Sequence, residues 1–160
     1  MAMRERQELA GRVSIVLRDP ARGEVARYRF DNLITSAGRT LLANALTGAV
    51  QIQSQYLSID VGTGTVAPAV TDTALNARAD GAAAQIGPPK LVSDAGGQRV
   101  VATVSATLPA TGAAAAQALT EAGIAIALPG AAPVLYNRVV FPVISRAGNL
   151  EMTLSWEVMF

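Results

Sequence analysis

The sequence predicts an all-β protein, an antiparallel β-sandwich or jelly-roll-like fold with about seven strands and one short helix near residues 37–47. Strand-type segments recur along the chain, separated by turn-forming Gly, Pro, Asn and Asp residues. Only one segment has helical spacing, so the strand–helix–strand alternation of a parallel sheet is missing. Residues 150–160 carry an apolar side chain at every second position from Leu150 to Phe160, which is typical of a strand with one buried face.

The first predicted element is a β-hairpin with one solvated face. Val13, Ile15 and Leu17 lie on one face of the first segment, and Ala26, Tyr28 and Phe30 lie on one face of residues 24–30. Between them, Asp19–Gly23 supplies a proline and a glycine at turn positions.

The next segment predicts a short helix over residues 37–47, which must pack on the sheet because it is too short to be stable alone. Thr35 or Ser36 can serve as the N-cap, and Gly48 stands where helices commonly end. The apolar stripe of this helix consists of Leu41, Leu42, Ala45 and Leu46.

A strand is predicted over residues 55–61. Residues 62–96 are predicted to form a long surface excursion with at most one short edge strand before Gly87. They are rich in Ala, Gly, Thr, Pro and Asp, and the segments 87–90 (GPPK) and 94–97 (DAGG) interrupt regular structure. Long loops of this kind usually carry function or make contacts.

Further strands are predicted over residues 98–108, in the second half of 119–128, over 134–143 and over 150–160. A tight turn over residues 145–149 precedes the last strand. One face of that strand carries Leu150, Met152, Leu154, Trp156, Val158 and Phe160.

Residues 11–160 are predicted to form a single β-sandwich domain, preceded by an N-terminal arm of residues 1–10. The arm carries Arg4, Glu5, Arg6 and Glu8 without apolar periodicity. We therefore expect it to contact a neighbouring subunit or a particle surface rather than its own domain. The chain shows no signal-peptide pattern and no apolar run long enough to cross a bilayer, so we expect a soluble protein.

The composition argues against an enzyme. The chain has no histidine and no cysteine, which removes the commonest general base, the commonest zinc ligand and every Ser-His or Cys-His nucleophile pair. Its formal net charge of +1 gives no long-range attraction to nucleic acid or to an anionic membrane. We expect no catalysis, no nucleic-acid partner and no membrane partner.

The segment Gly62-Thr63-Gly64 follows a strand, as a phosphate-binding loop would. Such a loop needs a third glycine and a following helix, or a Gly-Lys-Ser/Thr sequence. Pro68 and an alanine-rich stretch follow instead. We interpret the segment as a strand exit, and no cofactor is expected.

The carboxylates give no catalytic or metal pattern. Asp60 and Asp72 flank the glycine segment and Glu121 precedes a buried strand, but no spacing forces two of them together. Glu121 is expected to pair with an arginine or to cap a turn. Calcium ligands could come from Asp60, Asp72, Asp80 and Asp94, yet the Asp-x-Asp-x-Asp pattern is missing. We predict no catalytic, cofactor-binding or metal-binding residue.

The densest basic patch consists of Arg18, Arg22, Arg27 and Arg29. Asp19, Glu24 and Asp31 lie among these arginines and offset most of their charge. With 4% aromatic residues, the chain also has few side chains on which bases could stack. The patch is predicted to be a solvated or intersubunit face with salt bridges.

Taken in order, four segments resemble a group of small virion proteins of tailed bacteriophages. The segments are FDNLITSAGRTLLANALTG, YLSIDVGTGTVAPAVTDTALNAR, LTEAGIAIAL and LYNRVVFPVISRAGNLEMTLSWEVMF, and together they fall within residues 30–160. The order and spacing of the segments carry the resemblance.

The resemblance implies a structural protein of the particle, without an active site or a cofactor. The expected role is capsid decoration or cement in many copies on the virion surface. The alternatives are a tail-fibre, collar or baseplate component, or a receptor- or carbohydrate-binding module. The implied partners are other virion proteins, either major capsid or tail and collar proteins, and further copies of the chain in a homo-oligomer. The implied location is the virion, after synthesis in the cytoplasm of the bacterial host.

Overall fold

The computed structural model describes residues 9–160, and these form twelve strands and one α-helix in two antiparallel six-stranded sheets. The prediction of an all-β sandwich is confirmed. The first sheet has the order β2 (Gly23–Asp31), β1 (Ala10–Asp19), β12 (Glu151–Met159), β8 (Gly97–Leu108) and β6 (Gln85–Ile86), and β7 (Lys90–Asp94) also pairs with β8.

The second sheet has the order β3 (Leu33–Ile34), β11 (Asn137–Arg146), β9 (Gln117–Ile126), β4 (Leu57–Gly62) and β5 (Arg78–Ala83), and β10 (Val134–Leu135) also pairs with β9. The chain passes from one sheet to the other at Asn32, between β2 and β3, and at Ala84, between β5 and β6. At each side of the sandwich, an edge strand of one sheet is therefore followed directly in the chain by an edge strand of the other.

The core lies between the sheets, and β12 follows the alternation that the sequence predicts. Met152, Leu154 and Trp156 are fully buried, whereas Thr153 and Ser155 on the other face are half-buried. The indole Nε1 of Trp156 donates to Oδ1 of Asn32 at 2.8 Å, so the polar atom of this buried ring has a partner.

The helix α1 spans Ser36–Leu46, and Thr35 is the N-cap: its hydroxyl accepts a hydrogen bond from the Gly38 N–H at 2.9 Å. The same hydroxyl donates to the Leu135 carbonyl, so the cap also ties the helix to β10. After the helix, Gly48 has a φ of 77°, a conformation that favours glycine.

The loop predicted over residues 62–96 ends at residue 77, because β5, β6 and β7 occupy most of the remainder. The short edge strand expected before Gly87 is present as β6, whereas β5 and β7 were not predicted. β5 is rich in Ala and Gly, and the hydrogen bonds that pair it with β4 require no apolar pattern. β7 forms a hairpin with β8 through Gly97, whose φ is 110°. β7 is fully exposed and so lacks the burial alternation from which a strand is recognised.

Two other strand predictions need adjustment. The strand predicted in the second half of residues 119–128 is longer and begins earlier, at Gln117–Ile126, and the segment predicted at 134–143 divides into β10 and β11. Of the predicted arm, residues 1–8 lie outside the described residues, while Leu9 packs against the core and Ala10 opens β1. No helix among residues 9–160 is long and apolar enough to cross a membrane.

Candidate functional site

Residues 63–77 connect β4 to β5 without regular secondary structure, and we call this segment the 63–77 loop. The Thr63 N–H donates to the Ala77 carbonyl at 2.9 Å, so the two ends of the loop meet. The loop packs on the outer face of the second sheet, where Leu75 lies against Gly123. It therefore has the form of an Ω-loop, a compact surface loop with adjacent ends.

The Glu121 carboxylate binds both limbs of this loop. Alternation along β9 places Ala122 in the core and Glu121 on the outer face, where the loop covers it completely. Oε1 accepts from the Gly64 N–H at 3.0 Å and from the Ala77 N–H at 2.7 Å. Oε2 accepts from the Asn76 N–H at 3.0 Å. One buried carboxylate thus supplies acceptors for three backbone donors that have no strand partner.

Arg138 on β11 completes the site. Its Nε donates to Glu121 Oε2 at 2.9 Å, and its Nη1 donates to Asp72 Oδ2 at 3.0 Å. Nη2 also lies 2.9 Å from the same Glu121 oxygen, where it contributes to the ion pair without a directed hydrogen bond. The guanidinium therefore joins the middle of the loop to the sheet. We call Glu121, Arg138 and Asp72 the loop clip.

The pKa of Glu121 is lower than its ordinary value. Burial is the largest single influence and raises this pKa, but the N–H groups of Ala77 and Asn76, Arg138 and the Gly64 N–H together outweigh it. Glu121 is therefore ionised at neutral pH and acts as a fixed acceptor. A general acid in a protein active site needs the opposite shift.

The strand-exit interpretation of Gly62-Thr63-Gly64 agrees with the structure, since β4 ends at Gly62 and no helix follows directly. The clip also explains the second glycine. A Cβ atom on Gly64 would lie 2.5 Å from both Asn76 Cβ and Glu121 Oε1, so any side chain here would displace the carboxylate. This glycine is required by close packing and not by phosphate binding.

The other carboxylates considered in the sequence also form ion pairs. Asp60 lies 3.0 Å from Arg78, Asp80 lies 3.0 Å from Arg146, and Asp94 lies 2.6 Å from Arg99. Among the described residues, no group of three or more acidic side chains is placed to hold a metal ion.

Arg146 is a second buried arginine on β11, and sequence reasoning missed both. It binds Asp80 and Gln117 of the second sheet at 3.0 and 2.8 Å. It also donates to the carbonyls of Pro109 and Leu150, which flank strands of the first sheet. For Arg138 the available signal was a lone arginine within an apolar strand, because such a charge must find a buried partner. Arg146 lies in the segment predicted as a turn, so no such signal marked it.

The basic patch is a set of exposed ion pairs, as the sequence predicts. Arg18 pairs with Glu151 at 3.4 Å and Arg27 with Glu24 at 2.8 Å. Arg29 lies 4.0 Å from Glu157. Exposed pairs of this kind contribute little to stability, typically about 0–1 kcal/mol.

The loop clip holds an exposed apolar surface in place. Val66 and Val70 of the 63–77 loop are 62% and 49% exposed. The Val70 carbonyl accepts from the Ser36 N–H at 2.8 Å, which also fixes the loop against the start of α1. The arrangement can present a rigid surface of small apolar side chains.

Comparison of the chain with protein-family models, with curated proteins and with solved structures finds no match.

Proposed function

We propose that the chain is a non-enzymatic structural protein of a tailed-bacteriophage particle, assembling in many copies on the virion surface as a capsid decoration or cement protein. We further propose that the 63–77 loop is one of its contacts with neighbouring virion proteins. The sequence resemblance supports the first statement, and the loop clip supports the second.

The loop clip is the observation that carries the contact role. Burying charged groups is unfavourable unless they are paired, and stability alone is often served equally well by apolar packing. Here two buried charges and one partly buried charge hold an irregular loop that exposes Val66 and Val70 to solvent. A loop already fixed in its bound conformation loses less entropy on association, so such a device favours binding.

The same contacts weigh against catalysis at this site. Both oxygens of Glu121 accept hydrogen bonds, and its pKa is lowered. Neither feature suits a residue that must exchange a proton with a substrate.

The alternatives are a tail-fibre, collar or baseplate component, or a receptor- or carbohydrate-binding module. A sugar-binding module commonly presents exposed aromatic rings. Among the described residues, the exposed large hydrophobic side chains are mainly aliphatic, with only Tyr28 and Phe160 as aromatics. This observation favours a protein-binding role over a sugar-binding one.

The loop contact can be tested with particles that lack the protein. A Val66→Asp/Val70→Asp variant should bind them at least about tenfold more weakly than the wild type in co-sedimentation, because apolar contact surface is lost. Val25→Asp is the control, because Val25 is similarly exposed on β2 of the other sheet. Unchanged binding of the loop variant would refute the contact.

The location can be tested by quantifying the protein in purified particles. Hundreds of copies spread over the shell would support decoration. A small multiple at a single vertex would instead indicate a tail or collar component.

A further inference from the structure

The strand β7 is an edge of the first sheet. Its residues Lys90–Asp94 pair with β8 on one side, and no other strand among residues 9–160 pairs with it. All five residues of β7 are exposed, so the second sheet covers neither face of this strand. The outer edge of β7 therefore presents backbone N–H and C=O groups that another strand can bind.

The middle of this edge strand is apolar. Leu91 and Val92 are 65% and 39% exposed. Leu91 lies opposite Val100 of β8, and the Phe160 N–H donates to the Val100 carbonyl at 2.9 Å, so apolar side chains continue from the edge into the sheet. An exposed edge strand with apolar side chains is a site where a further strand can add to a sheet.

The charges of β7 are complementary to those of a second, antiparallel copy of the same strand. Pairing centred on Val92 would place Lys90 of each copy opposite Asp94 of the other, with the two Val92 residues facing each other. Lys90, Val92 and Asp94 share one face of the strand, because side chains alternate between the two faces. Two oppositely charged pairs and one apolar pair would therefore lie across the junction, and cross-strand pairs of both kinds stabilise a sheet.

Both charged residues of β7 are suited to such pairing. None of the ion pairs formed within residues 9–160 includes Lys90. Arg99, which lies 2.6 Å from Asp94, and the Gly96 N–H lower the pKa of Asp94, so this carboxylate is ionised at neutral pH. The strand therefore carries a cation at one end and an anion at the other.

The opposite edge strand of the same sheet, β2, lacks this complementarity. Arg27 and Arg29 flank Tyr28 near its middle, so antiparallel pairing of two β2 strands about Tyr28 would place arginine opposite arginine. Like charges directly opposite each other destabilise a sheet. Of these two edges, β7 is thus the one whose sequence favours pairing with a copy of itself.

We propose that two copies of the chain associate through their β7 strands, which pair antiparallel about a twofold axis at Val92. The first sheets of the two copies then form one continuous sheet. Five residues from each chain are fewer than the about 20–30 of a standard interface, so this dimer is weak and depends on concentration. The pairing is independent of the proposed virion role, because it requires only a second copy of the chain.

The absence of native cysteine allows a direct test by disulfide formation in the purified full chain. A Val92→Cys variant should form a disulfide-linked dimer under mild oxidation, because facing residues of antiparallel strands have Cα atoms about 4.5–5.5 Å apart, within the range that a disulfide bridges. The control is Val25→Cys, because Val25 is also exposed and lies on β2, at the other edge of the sheet.

Val92→Cys should form the linked dimer at least about tenfold faster than Val25→Cys at the same protein concentration, because pairing of the strands raises the effective concentration of one thiol near the other. Equal rates for the two variants, or no linked dimer of Val92→Cys, would overturn the proposal.

A second measurement reverses one charge of the junction and needs no cross-link. Sedimentation equilibrium of the wild type at up to roughly 1 mM protein should show a dimer, since even a millimolar dissociation constant is detected there. Lys90→Asp should raise this dissociation constant at least about tenfold, because two attractive pairs become repulsive. Arg22→Asp makes the same change of net charge in the turn between β1 and β2 and should leave the dimer unchanged.

The result of the sedimentation experiment decides between a second copy and any other occupant of the edge. A wild type that remains monomeric would exclude the second copy. A dimer that Lys90→Asp leaves unchanged, or that both variants weaken equally, would mean that the copies do not meet through β7 in this register. Each of these results would refute the proposal.

Discussion

The two buried arginines of β11, Arg138 and Arg146, have different structural roles. Arg138 binds two carboxylates, one of them fully buried, and fixes a surface loop to the outer face of the second sheet. Arg146 binds one half-buried carboxylate, one amide and two backbone carbonyls, and these groups come from both sheets. The first arginine stabilises a local structure, whereas the second links the two layers of the fold.

The two arginines also differ in the groups that would lose a partner if the arginine were removed. Without Arg138, Glu121 would be a buried charge that has lost the one ion-pair partner it has among residues 9–160. Without Arg146, the groups left without their partner would be the oxygens of one amide and two backbone carbonyls, which are neutral, and the carboxylate of Asp80, which is partly exposed to water. An uncompensated buried charge is far less favourable than an unpaired carbonyl, so the loop clip is the more sensitive of the two.

The largest effect is therefore expected for Arg138→Met. Breaking a buried ion pair by removing one partner typically costs about 3–5 kcal/mol. Denaturant unfolding should show this loss, and hydrogen exchange should show faster exchange at Gly64 and Ala77, whose N–H groups bind Glu121. A Glu121→Gln/Arg138→Met double variant should lose less than Arg138→Met alone, because the unpaired carboxylate that remains, Asp72, is partly exposed, and the fully buried charge of Glu121 is gone. Equal losses would show that the ion pair is not the cause.

A smaller effect is expected for Arg146→Met, about 1–3 kcal/mol, the usual range for leaving buried polar groups unpaired. Its hydrogen-exchange pattern should also differ. Protection should fall around Gly112, whose N–H binds the Gly148 carbonyl in the region that Arg146 holds, and not in the 63–77 loop. Faster exchange in the 63–77 loop of this variant would remove the distinction between the two arginines.

Much of this fold could be predicted from the sequence, because local patterns determine it. The first hairpin, the Thr35-capped helix and the face assignment of β12 each follow from spacing within one segment. The loop clip could not be predicted: Asp72 is 66 residues from Arg138, and Glu121 is 17 residues from it. Their meeting depends on the strand order, which no local pattern encodes. The expectation that Glu121 pairs with an arginine is confirmed by Arg138, but its place within the buried strand was missed.

The smallest effect is the pH dependence of the free energy of unfolding. It distinguishes the two arginines by the carboxylates that they bind. The lowered pKa of Glu121 means that ionisation of this residue stabilises the folded state. That contribution is fully present above the ordinary glutamate pKa of about 4.3 and is lost as the pH falls through the lower folded value. The free energy of unfolding should therefore decrease on acidification below about pH 5, with a slope of at most about 1.4 kcal/mol per pH unit from this group.

Other carboxylates, such as Asp19 and Asp94, also have lowered pKa values, so the informative quantity is the difference between variants. In Glu121→Gln, the free energy of unfolding should fall less steeply with decreasing pH than in the wild type, because the contribution of Glu121 is missing. Asp80→Asn changes the carboxylate bound to Arg146 and should keep the contribution of Glu121 to this slope. Identical slopes for the wild type and Glu121→Gln would show that folding does not lower the pKa of Glu121, and the assignment of the loop clip as a charged device that stabilises the fold would fail.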